Sequence, residues 1–222
     1  MHNNTDSKGI KISVITCSIR KEYLYITEEC LARQTFPKDK WEWIVEVEEP
    51  GADFGLPRAM NRALARCKGE ITVHLQDCID VPDNFLQHVS DTYKGEFITY
   101  PLGKINNDSV EWDWRRNNNR EIQPFEWEAD LASAPLKAFY DIGGYDEAFC
   151  DGWSWDNVEV GYRAKAAGYN FRCDNTTYGH AVDHDKVIEH PFRGKLKNND
   201  WRARETEVLC RIGDYKKEYL PN

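Results

Sequence analysis

The run ITVHLQDCIDVPDNFL, residues 71–86, carries an apolar, β-branched stretch directly into carboxylates. Asp77 and Asp80 stand three positions apart in the turn that follows. In open parallel sheets ligands sit beyond the carboxyl ends of the strands, so both acids emerge where a site would form. Two such carboxylates can grip one hard divalent cation, Mg²⁺ or Mn²⁺, and the cation can in turn hold a diphosphate. A plain strand-to-helix turn, with Asp80 or Asp83 capping the helix, uses the same residues.

The flanking segments alternate in the way such a turn requires. KISVITCSI (11–19) reads as a buried strand and EYLYITEECLARQT as a helix with Leu24, Ile26 and Leu31 among its apolar positions. WEWIVEVEE (41–49) is a second strand, stopped by Pro50 and Gly51. LPRAMNRALARCKG is a helix with Pro57 in its first turn and Gly69 at its end. ITVHLQD is the third strand, DNFLQHVSDTY the third helix and EFITYPL the fourth strand. Short connections between alternating strands and helices predict an α/β fold with a mostly parallel sheet covered on both faces. After residue 103 the periodicity fades, and KINNDSVEWDWRRNNNREIQPFEWEAD reads as a long loop or short meander over the site. Helical signal returns at LKAFYDIGGYDEAF, WDNVEVGYRAKAAGY and DWRARETEVLCRIG. The expected organisation is a flexible terminus (1–9), a ligand-binding half (10–103), a second half bearing the remaining chemistry (104–191) and a tail (192–222), within one domain.

With 222 residues, 41% of them hydrophobic, the chain can bury a full core. Eight tryptophans, among them Trp112, Trp114, Trp153 and Trp155 in polar surroundings, suit a groove for flat or ring-shaped ligands as well as ordinary packing. A net charge of −9 argues against general nucleic-acid binding, which rests on neutralising phosphates. The seven cysteines are odd in number, scattered and without a CxxC pair, so zinc sites and a disulfide framework are not expected, and a reducing cytosol is. No apolar run reaches the roughly 18 residues a bilayer span needs, and MHNNTDSKG is too polar for a signal peptide.

Taken in order, ISVITCSIRKEYL with LARQTFP, GLPRAMNRALARCKGE feeding ITVHLQDCID, and IGGYDEAFCDGWSWDNVEVGYRAKAAGY make a set. That set resembles the family 2 glycosyltransferases of the GT-A fold over about residues 10–190. The resemblance implies a Rossmann-like sheet with helices on both faces and a smaller acceptor-side region. It implies wrapping of the nucleoside by the loop after the first strand, here Thr16, Cys17, Ser18 and Arg20, with the arginine offsetting phosphate charge. An acid at the end of the second strand would read base or ribose. Glu46 and Glu48 are the candidates, since alternation puts both on one strand face. Arg58 and Asn61 resemble the pair that approaches the donor's diphosphate or sugar.

Where the family carries Asp-x-Asp, this sequence has Gln76, Asp77 and a displaced Asp80, which makes Asp77 the expected metal ligand ahead of Asp80. A divalent cation, Mn²⁺ or Mg²⁺, would offset the charge developing on a nucleoside diphosphate leaving group. A further ligand often comes from a late histidine, and YGHAVDHDKVIEHP offers His184 first and His180 second. The catalytic base of related enzymes lies in the segment matched by GWSWDNVEVGYR. Asn157 occupies the usual base position, so either Asp156 acts, with Asp151 or Glu159 in reserve, or the reaction retains configuration and needs no base there. At a helix start the dipole keeps such carboxylates ionised.

The implied reaction is metal-dependent, inverting transfer of a hexosyl or N-acetylhexosaminyl group. The sugar passes from a nucleotide-sugar donor, UDP-linked, to a hydroxyl of a glycan, lipid-linked sugar, protein or modified nucleic acid. The competing readings are a GT-A-like binding module without turnover and a nucleotidyltransferase. The latter is disfavoured because no Gly-rich stretch with a lysine follows the first strand.

Overall fold

The computed structural model describes residues 9–19, 21–48, 55–106, 109–153, 155–182, 197–198 and 200–220. In chain order the elements are β1 (Ile12–Ser18), α1 (Leu24–Ala32), β2 (Trp41–Val47), α2 (Leu56–Leu64), β3 (Ile71–Leu75), β4 (Ile79–Asp80), α3 (Phe85–Thr92) and β5 (Phe97–Thr99). They continue with β6 (Leu102–Asn106), β7 (Ser109–Trp112), β8 (Arg120–Glu121), β9 (Leu131–Pro135), α4 (Leu136–Ile142), β10 (Gly152–Trp153) and α5 (Asp156–Ala166). β11 (Phe171–Cys173), β12 (Gly179–Ala181), β13 (Lys197–Asn198) and α6 (Asp200–Arg211) complete the set.

The main sheet has seven strands in the order β2-β1-β3-β9-β5-β11-β8. β1 pairs in parallel with β2 and β3, and β5 with β11, while β9 and β8 run against their neighbours. All five residues of β3 are buried, as a strand covered on both faces must be. Alternation splits the core between those faces. Val14, Ile71, Val73 and Leu75 meet Leu31 of α1 and Phe85 and Val89 of α3 on one side. Ile15 meets Ala63 and Leu64 of α2, Phe139 of α4 and Val160 of α5 on the other. A smaller cluster of Phe149, Val158 and Ala203 seats α6 on α5.

Two departures from expectation matter for the site. β9, whose sequence is LASAP, is not expected as a strand, because small residues without β-branching give no period-2 signal. It pairs antiparallel with both β3 and β5, Leu131 lying opposite Leu75 and Ala132 opposite Thr99. Residues 128–130 are thereby brought to the carboxyl ends of the parallel strands. The second departure is in 96–130. The expected fourth strand breaks into β5 and β6, while the stretch from 104, expected as a long loop or a short meander, is the meander, its β6–β7 hairpin joining β12 and β4 in a separate four-stranded sheet. Among the described residues no helix is long and apolar enough to cross a membrane.

Candidate active site

The strand order places the chain reversal between β1 and β3, the position where open α/β sheets form their crevice. β1 follows β2 to Ser18 but leaves β3 after Ile15, so the two central strands part at their carboxyl ends. Across that opening Ser18 Oγ donates to Asp77 Oδ2, and Asp77 is 2% exposed. Gln76 is exposed beside it, its amide bonded to the carbonyl of Asp130 at 3.2 Å. Thr16 Oγ1 accepts from Trp43 Nε1 at 2.9 Å, and the Cys17 thiol lies 3.2 Å from Met60 Sδ, its pKa raised by burial. Arg20 lies outside the described residues.

The acids of β2 are already matched by cations. Arg62 Nε donates to Glu46 at 3.0 Å and its Nη2 to Glu48, while Arg66 pairs with Glu46 at 2.7 Å. Glu48 also accepts the Gly55 amide at 3.2 Å, tying the end of β2 to the start of α2. Two arginines one helical turn apart, facing acids at alternate strand positions, is a signal the sequence contains. Arg58 reaches Glu147 at 3.5 Å. Asn61, expected near the donor, is bonded within the chain. Its amide nitrogen donates to the Tyr145 carbonyl and to Glu147, and its oxygen accepts the Tyr145 amide at 2.8 Å. Buried with both ends of its amide engaged, Asn61 clamps the 145–147 turn.

The expected metal set does not assemble as a cage. Asp80 pairs with Arg33 at 2.6 Å, and the same guanidinium holds Asp83 at 3.1 Å. Neither acid caps α3, whose Leu86 amide is instead satisfied by Gln34 Oε1 at 2.9 Å. His180 is the cross-strand neighbour of Asp80, but its ring is packed 5.2 Å from Trp112 and 5.1 Å from Tyr178. His184 lies outside the described residues. No group of three His, Cys, Asp or Glu side chains that could hold a metal ion forms among the described residues. Of the expected ligands that are described, Asp77 is the one bonded across the opening between β1 and β3.

The amino end of α5 supplies the titratable group. Trp155, its N-cap, holds φ +73°, the one positive φ among the described non-glycine residues. Strained backbone of this kind gathers at functional sites. Asp156 opens the helix, and burial raises its pKa to about 6, with the Glu159 charge adding to the rise and local backbone amides opposing it. A carboxyl poised there is ionised at neutral pH yet basic enough to take a proton. Glu159, expected as a reserve base, is paired within the helix. It is fully buried, and Arg163 takes both its oxygens at 2.6 and 2.5 Å while donating to the Ile142 carbonyl at 2.9 Å. Asn157 Nδ2 donates to the Trp127 carbonyl at 2.7 Å, fastening the segment before β9 to the first turn of α5. Gly161 permits this approach, since a Cβ there would lie 2.4 Å from the Pro124 carbonyl oxygen. Asp151 ends a turn starting at Glu147, and its side chain lies outside the described part.

Sequence reasoning missed Arg115. At 2% exposure it donates to Asp130 at 2.6 and 3.0 Å, to Asp113 at 2.7 Å and to Thr99 Oγ1 at 2.9 Å. This bidentate lattice fixes the strip leading into β9 against the end of β5. Its spacing in sequence is uninformative, because the antiparallel β9 that brings the groups together was itself unread.

No family model matches the chain. A segment of 92 residues, 41% of the chain, is 29% identical to validoxylamine A glucosyltransferase of Streptomyces hygroscopicus subsp. jinggangensis and spans 22% of that relative's length. Staphylococcus aureus TarS (residues 1–349), solved in complex with UDP-GlcNAc, superposes with a TM-score of 0.70 at 14% identity, over 94% of this chain and 68% of that one. GalNAc-T7, solved with UDP, GalNAc and Mn²⁺, superposes with a TM-score of 0.62 at 13% identity, over 82% of this chain and 44% of that one. The chain has the GT-A fold of glycosyltransferases, as its sequence resemblance implied.

Proposed function

We propose that the protein transfers a sugar from a nucleotide-sugar donor, UDP-linked, to an acceptor hydroxyl. The observation that carries this reading is the opening between β1 and β3, bridged by Ser18 and Asp77, in a fold shared with nucleotide-sugar-bound structures. The nucleoside would lie along the end of β1 toward Glu46 and Glu48, with Arg58 on the donor side of α2. Mg²⁺ is commonly held by one or two carboxylates plus phosphate oxygens, without an all-protein cage. Asp77 and the donor's own diphosphate would hold Mg²⁺ or Mn²⁺ in that manner, and the cation would offset charge on the leaving group. Asp156 would accept the proton of the attacking hydroxyl as its oxygen bonds the anomeric carbon and the nucleoside diphosphate departs, an inverting displacement. Positioning and electrostatics, with no covalent intermediate, would supply the acceleration.

The test is hydrolysis of UDP-glucose and UDP-N-acetylglucosamine without acceptor, with Mn²⁺ and with EDTA, by wild type and Asp77→Ala. Metal-stimulated release of UDP by wild type, lost in the folded variant, supports the reading. UDP binding without release of sugar by wild type points to a binding module. Equal hydrolysis by both proteins removes Asp77 from the donor site.

A further inference from the structure

Two cavities open beside the candidate site, and they share one residue. The first, about 400 Å³, lies between α5 and α6, with Phe125, Trp155 and Tyr162 among its walls. The second, about 640 Å³, lies against the β6–β7 hairpin, with Trp112 and Trp114 among its walls. Glu128 lines both. Each volume falls within the range of small-molecule sites, which runs from roughly 300 to 1,000 Å³.

Glu128 is held by its backbone and left open at its carboxylate. Its carbonyl accepts from Thr99 Oγ1 at 2.9 Å, and the preceding carbonyl, that of Trp127, accepts from Asn157 at 2.7 Å. No described residue donates a hydrogen bond or an ion pair to the Glu128 carboxylate, whereas neighbouring Asp130 and Asp113 are both claimed by Arg115. Burial, then the Asp130 charge, raises its pKa. A half-buried carboxylate without a donor carries a desolvation cost that a ligand's hydroxyls would relieve.

We propose that Glu128 is an acceptor-binding carboxylate, and that the two cavities together form a cleft for a neutral polyhydroxylated chain two or more rings long. This rests on the transferase reading above. The position suits it, because the antiparallel entry into β9 sets residues 128–130 at the same carboxyl-end mouth as Asp77, and Asn157 ties them to the helix that begins with Asp156. Hydroxyls of the chain donate to Glu128 at the junction. Exposed Trp114 and Phe125, one in each cavity, offer flat faces to the rings on either side. Charge selects the occupant. Glu111, Asp113 and Asp130 outnumber Lys104 and Arg115 in one cavity, and Asp200 and Glu207 outnumber Arg204 in the other, so an anionic chain is repelled.

The experiment titrates maltotriose, cellotriose, chitotriose and trigalacturonate into wild type and Glu128→Gln, following tryptophan fluorescence. UDP affinity and UDP-glucose hydrolysis are read on the same samples. At least one neutral trisaccharide is expected to bind wild type, more tightly than trigalacturonate, and to bind Glu128→Gln roughly tenfold or more weakly at unchanged UDP affinity. Binding within about twofold in the variant overturns the role of Glu128. No neutral trisaccharide bound by wild type, or tighter binding of trigalacturonate, overturns the cleft. Failure of wild type to bind or hydrolyse the nucleotide sugar would fall on the transferase reading, separately from the saccharide titration.

Discussion

Replacing Asp156 by asparagine should make the protein more stable and less active, with a pH dependence that separates the two effects. Burial lifts the carboxyl from 3.8 to about 6, so its ionised form is disfavoured in the folded chain relative to the unfolded one. Between those values the folded protein binds the extra proton, and stability falls as pH rises through the window. Above it the full cost remains, about 3 kcal/mol at ~1.4 kcal/mol per tenfold change in the equilibrium. The substituted amide keeps the shape and escapes the charge. Asp156→Asn should therefore exceed wild type in unfolding free energy by as much as about 3 kcal/mol at pH 8 and by less than about 1 kcal/mol at pH 4. Urea unfolding at the two pH values measures both differences. Loss of a general base lowers transfer by about 10² to 10⁴ with donor affinity unchanged. A stability difference that is the same at pH 4 and pH 8 would refute the burial argument. Near-normal transfer by the folded variant would refute the base assignment.

Other perturbations separate packing from chemistry. His74 is buried against Phe139 and Trp127 with neither ring nitrogen bonded, and burial lowers its pKa to about 3. As pH falls through the ordinary histidine range the unfolded chain takes up a proton that the folded one refuses, so this residue costs stability there. The stability gap between His74→Leu and wild type should move in favour of the variant by about 2 kcal/mol from pH 8 to pH 5, measured by urea unfolding, and a constant gap counts against it. Arg163→Met leaves the Glu159 carboxylate buried and unpaired and should cost about 3 to 5 kcal/mol, whereas a loss under about 1 kcal/mol would mean that the pair is solvated. Gly161→Ala pushes a methyl against the Pro124 carbonyl and so displaces the strip bearing Glu128. Transfer should fall while UDP affinity, read by calorimetry, stays near wild type.

The alternating first half was legible because its strands and helices each carry their own periodicity. KISVITCSI, WEWIVEV and ITVHL are found within the segments expected, and the opening at Ser18 and Asp77 follows from the order in which those strands join. The partners of Asp80 and Asn61 were hidden for a common reason: residue type and spacing do not reveal which partner reaches a side chain first. Arg33, just past the end of α1, and the Tyr145 backbone claim them through tertiary contacts. The partner of Glu159 was legible, since Arg163 stands at i+4 on the same helix. Glu128 and Arg115 were invisible because their placement depends on LASAP acting as an internal antiparallel strand. All five of its residues are buried, yet small residues without β-branching look like a loop in sequence.

The central claim is that the donor's diphosphate lies where β1 and β3 part. A crystal structure of the chain grown with UDP and Mn²⁺ tests it most directly. The account predicts the diphosphate beside Asp77 and the uridine along the end of β1 toward Glu46 and Glu48. Diphosphate bound away from Asp77, or at the amino ends of the parallel strands, would contradict it.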